Sequence, residues 1–184
     1  KFEPEFIKFF SFIALAKMPD FWEAYDRGDI TYDEVIDHLV AYNKCSRSLA
    51  EANLRRSILT QEEIAATKCL IEELDKGGYH LFVLSNMSRE FIDFLRKKEV
   101  YGHFRGDVVS CEERIAKPDE AIYRRLLTKY DLDAGETIFI DDRVVDVSFT
   151  GTLIGNRFVH QFTVDCQHCT STAVEVSCVN AGIA

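Results

Sequence analysis

The 184-residue sequence lacks any run of about 18 apolar residues, the length of a membrane-spanning helix. Positive charge is also scarce: 22 Lys and Arg residues stand against 31 Asp and Glu residues, for a formal net charge of −9. A surface of this sign is unsuited to broad contacts with nucleic acid or anionic membranes, so we expect neither partner. It does not exclude an anionic substrate, because a bound cation and one lysine can reverse the local field.

Cysteine patterns that would indicate a disulfide framework are absent. Cys45, Cys69 and Cys111 are isolated, like the free thiols of a cytosolic protein, so we expect a cytoplasmic location. Cys166 and Cys169 form a CxxC pair. A metal or redox site at such a pair requires a second ligand pair or a thioredoxin-like βαβ unit, and neither pattern is visible. A chance pair is the favoured interpretation, and a site is the alternative.

The sequence does not begin with Met, and its first apolar stretch differs from a signal peptide. Residues 6–16 are largely apolar, but the acidic Glu3 and Glu5 precede them and Lys8 interrupts them. A signal peptide has basic residues before an uninterrupted apolar region. We therefore interpret the stretch as a helix of a longer protein.

Helical patterns dominate the first third of the chain. Thr31 and Glu34 form a capping box, and Thr60 and Glu63 form a second one. Asp20 is a candidate N-cap for a short helix between them. No strand pattern is convincing in this region, so we expect helices throughout residues 1–60.

After residue 60, helices alternate with nearly continuous apolar segments at 79–84, around 108–109 and at 137–140. This order predicts an α/β fold with a Rossmann-like parallel sheet and right-handed crossovers. The expected organisation is a partial helical cap at 1–60, an α/β core at 61–147 and an atypical tail at 148–184.

Polar residues follow two of the predicted strands, where ligands of open α/β sheets bind. Ser85 and the backbone at Asn86 are suited to hold a phosphate oxygen at the entrance of a helix, although Ser85 is alternatively a plain helix cap. Asp141, Asp142 and Asp146 follow the third strand. Their hard oxygen ligands suit Mg²⁺, and the alternative is a solvated acidic turn.

Lys117 precedes Pro118, between these two strands in sequence. Proline suits the first turn of a helix, so we expect Pro118 to begin one and to hold Lys117 just before it. An ammonium group there neutralises charge on a transferring phosphoryl group. The alternative is an ordinary surface lysine.

Taken together and in this order, the three signals resemble the second, third and fourth motifs of the haloacid dehalogenase superfamily. Those motifs are an apolar strand ending in Ser or Thr, a Lys often followed by Pro, and an apolar strand ending in paired acids. The separations are also similar, with 32 residues from Ser85 to Lys117 and 24 from Lys117 to Asp141. The resemblance covers about residues 15–147, and the helical first third looks like the small cap of the branch that contains phosphoglycolate phosphatases.

The resemblance implies a hydrolase, specifically a Mg²⁺-dependent phosphatase of a small phosphorylated metabolite. Ser85 would hydrogen-bond the phosphoryl group, helped by the backbone at Asn86. Lys117 would position the nucleophile and offset its charge. Asp142 would ligate Mg²⁺ directly, with Asp141 and Asp146 in its inner or outer coordination sphere. Ser85, Lys117 and Asp142 are therefore expected to converge on one cavity at the carboxyl edge of the sheet.

The sequence departs from the family pattern in two places. No Asp-x-Asp motif, which supplies the family's nucleophile and general acid, precedes Ser85. We therefore expect weak or no phosphatase activity in this chain, and either a longer protein or another segment that fills the gap left by the first strand. The tail also differs from the family's usual helix, and residues 157–164 and 172–179 are candidate strands. We expect 157–164 outside the third strand, with the central gap open or closed by direct pairing.

Two other functions remain open. One is a non-catalytic phosphate-binding or regulatory relative, and the other is a 2-haloacid dehalogenase. The paired acids favour a phosphatase over a dehalogenase, because dehalogenation needs no cation. Trp22 and Tyr25 are candidate substrate contacts, although we favour a place in the core of the cap for both. The oligomeric state and the identity of the substrate do not follow from the sequence.

Overall fold

The computed structural model describes residues 4–14 and 18–140 together with two short strands near the C-terminus. The helices are α1 (Pro4–Phe9), α2 (Ser11–Ala14), α3 (Asp20–Asp26), α4 (Tyr32–Asn43), α5 (Arg47–Leu59), α6 (Ala65–Lys76), α7 (Arg89–Leu95), α8 (Ser110–Glu113) and α9 (Glu120–Lys129), with a 3₁₀ turn at Glu99–His103. The strands are β1 (His80–Ser85), β2 (Phe104–Val109), β3 (Thr137–Ile140), β4 (Phe158–Val159) and β5 (Val179–Asn180). No helix in the described part of the chain is long and apolar enough to span a membrane.

The helical half, α1–α5, packs around one aromatic-rich core. Phe10, Phe12 and Trp22 contact one another by edge-to-face or tilted ring packing. Phe91 and Phe94 on α7 pack against the same core, which joins the helical half to the α/β half. The helical content predicted for this region is therefore confirmed in the described residues.

The predicted helix caps have mixed outcomes. The capping box of Thr31 and Glu34 at the start of α4 is confirmed by both of its hydrogen bonds. The predicted box at Thr60 is wrong, because α6 begins only at Ala65 and the Thr60 hydroxyl donates to the carbonyl of Arg56 at the end of α5. The prediction for Asp20 is also wrong, since Asp20 is the first helical residue of α3 and Pro19 occupies its cap position.

The sheet has the strand order β2-β1-β5-β3-β4. β1 pairs with β2 in parallel, and β3 pairs with β4 in parallel. β5 is antiparallel to both β1 and β3, so β1 and β3 run in the same direction. The carboxyl ends of β1 and β3 therefore face the same edge, and the predicted α/β fold with a parallel core is confirmed.

Both short C-terminal strands join this sheet. β4 lies at the outer edge beside β3, within the segment predicted to pair there. The expectation for the centre of the sheet is wrong, because β5 lies between β1 and β3 instead of an open gap or direct pairing. Residues Val179 and Asn180 thus give β1 and β3 backbone partners that interior strands require.

The two faces of β1 pack against different helices. Phe82 and Leu84 lie in one core cluster with residues of α9, whereas Leu81 lies in another with Ile71 of α6. Successive side chains of a strand point to opposite faces. This alternation directs Ser85 towards the α6 face of the sheet and leaves the α9 face to the next residue.

Arg96, at the end of α7, ties this helix to β2 and α8. Its guanidinium donates two hydrogen bonds of 2.8 Å to the carboxylate of Asp107 and bonds of 2.8 and 2.9 Å to Glu112. Tyr101 donates a further bond of 2.7 Å to Asp107. The hydrogen bonds from Arg96 lower the pKa of the Glu112 carboxyl from its ordinary value of 4.5 to about 2. Glu112 is therefore charged, and bound to Arg96, over the whole neutral range.

This network predicts a loss of stability in acid. Because the folded pKa of Glu112 is depressed, its contribution is complete above about pH 4.5 and is lost as the pH falls through about 2. Glu112→Gln should lower the free energy of unfolding by about 2 kcal/mol at pH 7 and flatten its pH dependence between these limits. Urea unfolding at several pH values measures this. Glu62→Gln, which removes the charge of an exposed carboxylate, is the control. An equal dependence of the free energy of unfolding on pH in Glu112→Gln and the unsubstituted chain would contradict the role of Glu112.

Candidate active site

Asn86 joins the end of β1 to the segment that carries Lys117. Its side-chain amide donates to the Lys117 carbonyl at 2.9 Å, and its side-chain oxygen accepts the Lys117 backbone N–H at 2.7 Å. One donated and one accepted hydrogen bond together fix both the distance and the orientation of the two segments. The structure thus brings the predicted Ser85–Asn86 and Lys117 motifs together at the carboxyl edge of the sheet.

Lys117 is a buried lysine and not a surface charge. Only 9% of it is exposed, and its ammonium nitrogen lies 5.4 Å from the centre of the Phe139 ring on β3. An ammonium over an aromatic face gains electrostatic attraction that partly offsets its lost hydration. The side chain therefore extends from the loop before α9 towards the end of β3.

The entrance of α9 differs from the prediction. Pro118 does not begin the helix, because α9 starts at Glu120 and Asp119 is its N-cap, accepting the Ala121 N–H at 2.9 Å. The Lys117–Pro118 peptide bond is cis. Lys117 is held in place by the two hydrogen bonds between its backbone and the Asn86 side chain, and not by a proline in the first helical turn.

The predicted metal ligands Asp141, Asp142 and Asp146 lie outside the described residues. The described part of β3 extends to Ile140, and its carboxyl end faces the same edge of the sheet as Ser85 at the end of β1. Within residues 4–14 and 18–140, no group of three or more His, Cys, Asp or Glu side chains is placed to hold a metal ion. The described residues alone therefore do not form a metal site.

Ser85 borders a cavity of about 230 Å³ on the α6 face of the sheet. Its lining is largely apolar, with Thr67 and Lys68 from α6 among the polar residues. Lys117 is not among the described residues that line this cavity. The expected convergence on one cavity therefore stays a prediction for Ser85, Lys117 and Asp142, although the backbones that carry Ser85 and Lys117 are in contact through Asn86.

A second cavity, of about 240 Å³, lies where the helical half meets the α/β half. Tyr25, Tyr32, Arg89 and Arg114 line it together with Cys111. Burial raises the pKa of the Cys111 thiol to about 11, so this thiol is protonated at neutral pH and is not an activated nucleophile. The sequence does not predict that Arg89 and Arg114 line a cavity, because single charged residues near helix ends are common on protein surfaces.

The two aromatic candidates from the helical half lie mainly in its core. Trp22 is 5% exposed and Tyr25 is 2% exposed, as favoured for both. The Tyr25 hydroxyl nevertheless reaches the junction, where it donates to the Glu90 carboxylate at 2.6 Å. Burial, and secondarily this bond to Glu90, raises the pKa of Tyr25, so the phenol remains a hydrogen-bond donor.

Ser110, which the sequence analysis missed, lies at the junction where the helical half, α1–α5, meets the α/β half. Its buried hydroxyl accepts the Met87 backbone N–H at 2.9 Å and donates to the Asp26 carbonyl at the end of α3. The hydroxyl thus connects the loop that follows Ser85 with the helical half. The signal that identified Ser85, a serine directly after an apolar strand, also marks Ser110 after Val108 and Val109.

Comparisons with known proteins agree with this architecture. The family model for haloacid dehalogenase-like hydrolases matches residues 12–160. The chain therefore belongs to the haloacid dehalogenase-like hydrolases, and the predicted family is confirmed. Among curated proteins, the chain is similar to the sesquiterpene phosphatase astK of Aspergillus oryzae, with 29% identity over 129 residues. That match spans 68% of this chain and 65% of the relative.

Solved structures support the same fold. A magnesium complex of the HAD family enzyme bt-2542 from Bacteroides thetaiotaomicron has a TM-score of 0.67 and 21% identity, with 86% of this chain and 84% of that chain covered. Another structure of that enzyme contains magnesium and inorganic phosphate. A predicted HAD-like hydrolase from Porphyromonas gingivalis has a TM-score of 0.65 and 22% identity, with 84% and 81% covered. These likenesses establish the fold alone.

The role of Asn86 predicts a large effect of substitution. Asn86→Ala removes both hydrogen bonds to Lys117 and leaves its backbone groups unsatisfied, so we expect a loss of about 2–3 kcal/mol in the free energy of unfolding. Asn43→Ala, which removes a single bond to the Leu39 carbonyl on α4, is the matched control and should cost less. Urea denaturation compares the two variants. Equal, small losses would show that Asn86 does not hold the Lys117 segment.

Gly28 predicts a second effect, at the junction. It has a φ of +74°, and a Cβ atom there would lie 2.7 Å from the Cys111 carbonyl oxygen. Gly28→Ala should therefore cost about 2–4 kcal/mol through backbone strain and displacement of α8. Gly102→Ala is the control, because a Cβ at Gly102 meets nothing within 4 Å. Similar thermal unfolding temperatures of both variants would contradict the close approach.

Proposed function

We propose that this chain represents a Mg²⁺-dependent phosphatase of a small phosphorylated metabolite that works through an aspartyl-phosphate, and that the 184-residue chain itself turns over little substrate. The observation that carries the proposal is the pair of hydrogen bonds between the Asn86 side chain and the Lys117 backbone, which holds buried Lys117 beside the end of β1. We further propose residues 1–60 as a partial helical cap, 61–147 as the catalytic core and 148–184 as an atypical tail. Cys45, Cys69 and Cys111 are not in disulfide bonds, which supports a cytoplasmic location.

Each proposed role follows from the position of the residue. Ser85, at the end of β1, would donate its hydroxyl to a phosphoryl oxygen, and the backbone N–H of Asn86 would add a second donor. Lys117 would offset the charge that accumulates on the transferring group. Its burial strengthens this effect, because electrostatic attraction weakens as water approaches.

The proposed metal site uses carboxylates beyond the end of β3. Asp142 would hold Mg²⁺ with Asp141 and Asp146, and hard carboxylate oxygens are the ligands that this ion prefers. When bound, the ion supplies positive charge that neutralises phosphate oxygens. The magnesium complexes of the Bacteroides relative support the choice of ion.

A non-catalytic phosphate-binding relative is the second candidate, and one observation favours it. The strand between β1 and β3 is Val179–Asn180, which carries no carboxylate. No Asp-x-Asp precedes Ser85 in this sequence either. Covalent catalysis without its nucleophile is largely lost. Such a chain would retain phosphate binding through Ser85 and Lys117 without turnover.

Turnover assays test the dehalogenase alternative and the proposed metal ligands. We expect weak or no hydrolysis of p-nitrophenyl phosphate and of a sesquiterpenyl phosphate, the latter chosen because of the similarity to astK. No dehalogenation of a 2-haloacid is expected, with or without Mg²⁺. Robust Mg²⁺-dependent phosphatase activity that survives Asp142→Ala would refute both the mechanism and the metal assignment.

Phosphate binding tests the site independently of turnover. In titration calorimetry with Mg²⁺ present, inorganic phosphate should bind the unsubstituted chain, and Lys117→Ala should weaken binding by about 10- to 100-fold, the value of one charge-assisted hydrogen bond. Lys76→Ala, which removes an exposed lysine at the end of α6, is the control and should bind like the unsubstituted chain. Equal phosphate affinities of the two lysine variants would contradict the proposed site.

A further inference from the structure

The loop between Ser85 and α7 is held by a residue outside the proposed motifs. This loop, residues 86–88, contains the proposed phosphate-binding backbone. Its Met87 N–H donates to the Ser110 hydroxyl at 2.9 Å, and the same hydroxyl donates to the Asp26 carbonyl. One oxygen therefore satisfies a backbone donor of the loop and a backbone acceptor of the helical half.

Ser110 itself does not reach a substrate. It has 0% exposure, and it lies beneath the loop at the start of α8. An effect on binding would therefore be transmitted through the loop backbone. Gly28 in the helical half also lies close to the backbone of Cys111, the residue after Ser110, since a Cβ at Gly28 would lie 2.7 Å from the Cys111 oxygen.

We infer that Ser110 is a positioning residue that sets the conformation of the phosphate-binding loop and couples it to the helical half. The inference rests on the proposed function, since it assigns Ser110 to that same site. Serine suits the position because its hydroxyl both accepts and donates a hydrogen bond. Alanine matches its size but makes neither bond, whereas threonine keeps the hydroxyl and adds a methyl group to a fully buried place.

The test combines amide exchange with phosphate binding. Hydrogen exchange by NMR reports the loop directly, and calorimetry with inorganic phosphate and Mg²⁺ reports the site. Ser110→Ala is compared with Ser110→Thr and with Tyr130→Phe. Tyr130 is a matched control, because its hydroxyl also accepts a backbone N–H and donates to a backbone carbonyl, both of Asp107 in β2.

Ser110→Ala should accelerate exchange of the Met87 amide by about tenfold or more and weaken phosphate binding by about tenfold, the loss that corresponds to about 1.4 kcal/mol. Ser110→Thr should bind phosphate more tightly than Ser110→Ala even if it is no more stable. Tyr130→Phe should lower stability without changing either readout at the loop. If Ser110→Ala acted only by destabilising the fold, phosphate affinity would instead fall in proportion to the loss of stability in all three variants, and this result would contradict the inference.

Two results would overturn the inference. The first is a Met87 amide that exchanges at the same rate in Ser110→Ala and Tyr130→Phe. The second is unchanged phosphate affinity in Ser110→Ala. Failure of the unsubstituted chain to bind phosphate would instead refute the proposed function, and the exchange of Met87 would still decide whether Ser110 holds the loop.

Discussion

The pairing of the Asn86 side chain with the backbone of Lys117 is the interaction on which the candidate site depends. It joins segments 31 residues apart through bonds of 2.9 and 2.7 Å. Both bonds go to the backbone of Lys117, so they fix the position of the loop from which its side chain extends. Asn86 directly follows β1 and bonds to the loop before α9, whereas the alternation of β1 directs Ser85 towards the α6 face.

Much of this arrangement was predictable because the signals are local. A nearly continuous apolar segment marks a buried parallel strand, and the polar residue after it marks the edge where ligands bind. The placement of Ser85 at the end of β1 follows from that rule. The capping box of Thr31 was equally predictable from the sequence, because its two hydrogen bonds form within four residues.

The errors arise where a distant or competing interaction decides the structure. The Thr60 hydroxyl donates to the Arg56 carbonyl and therefore completes the preceding helix. Asp119 caps α9, which moves Pro118 outside the helix. β5 consists of two residues that pair with β1 and β3 about 40 to 100 residues earlier in the chain. Its first residue, Val179, is the last residue of the candidate strand 172–179, but a local pattern does not indicate which distant strands it pairs with.

The central claim is that the carboxyl edge beside β1 forms a phosphate site built from Ser85, Asn86 and Lys117. Mapping of backbone amide chemical shifts during titration with inorganic phosphate and Mg²⁺ tests it most directly. The account predicts the largest shifts at residues 85–87 and at Lys117, with small shifts elsewhere among the described helices. Shifts concentrated at α1 or α4, with none at Ser85 or Lys117, would contradict it.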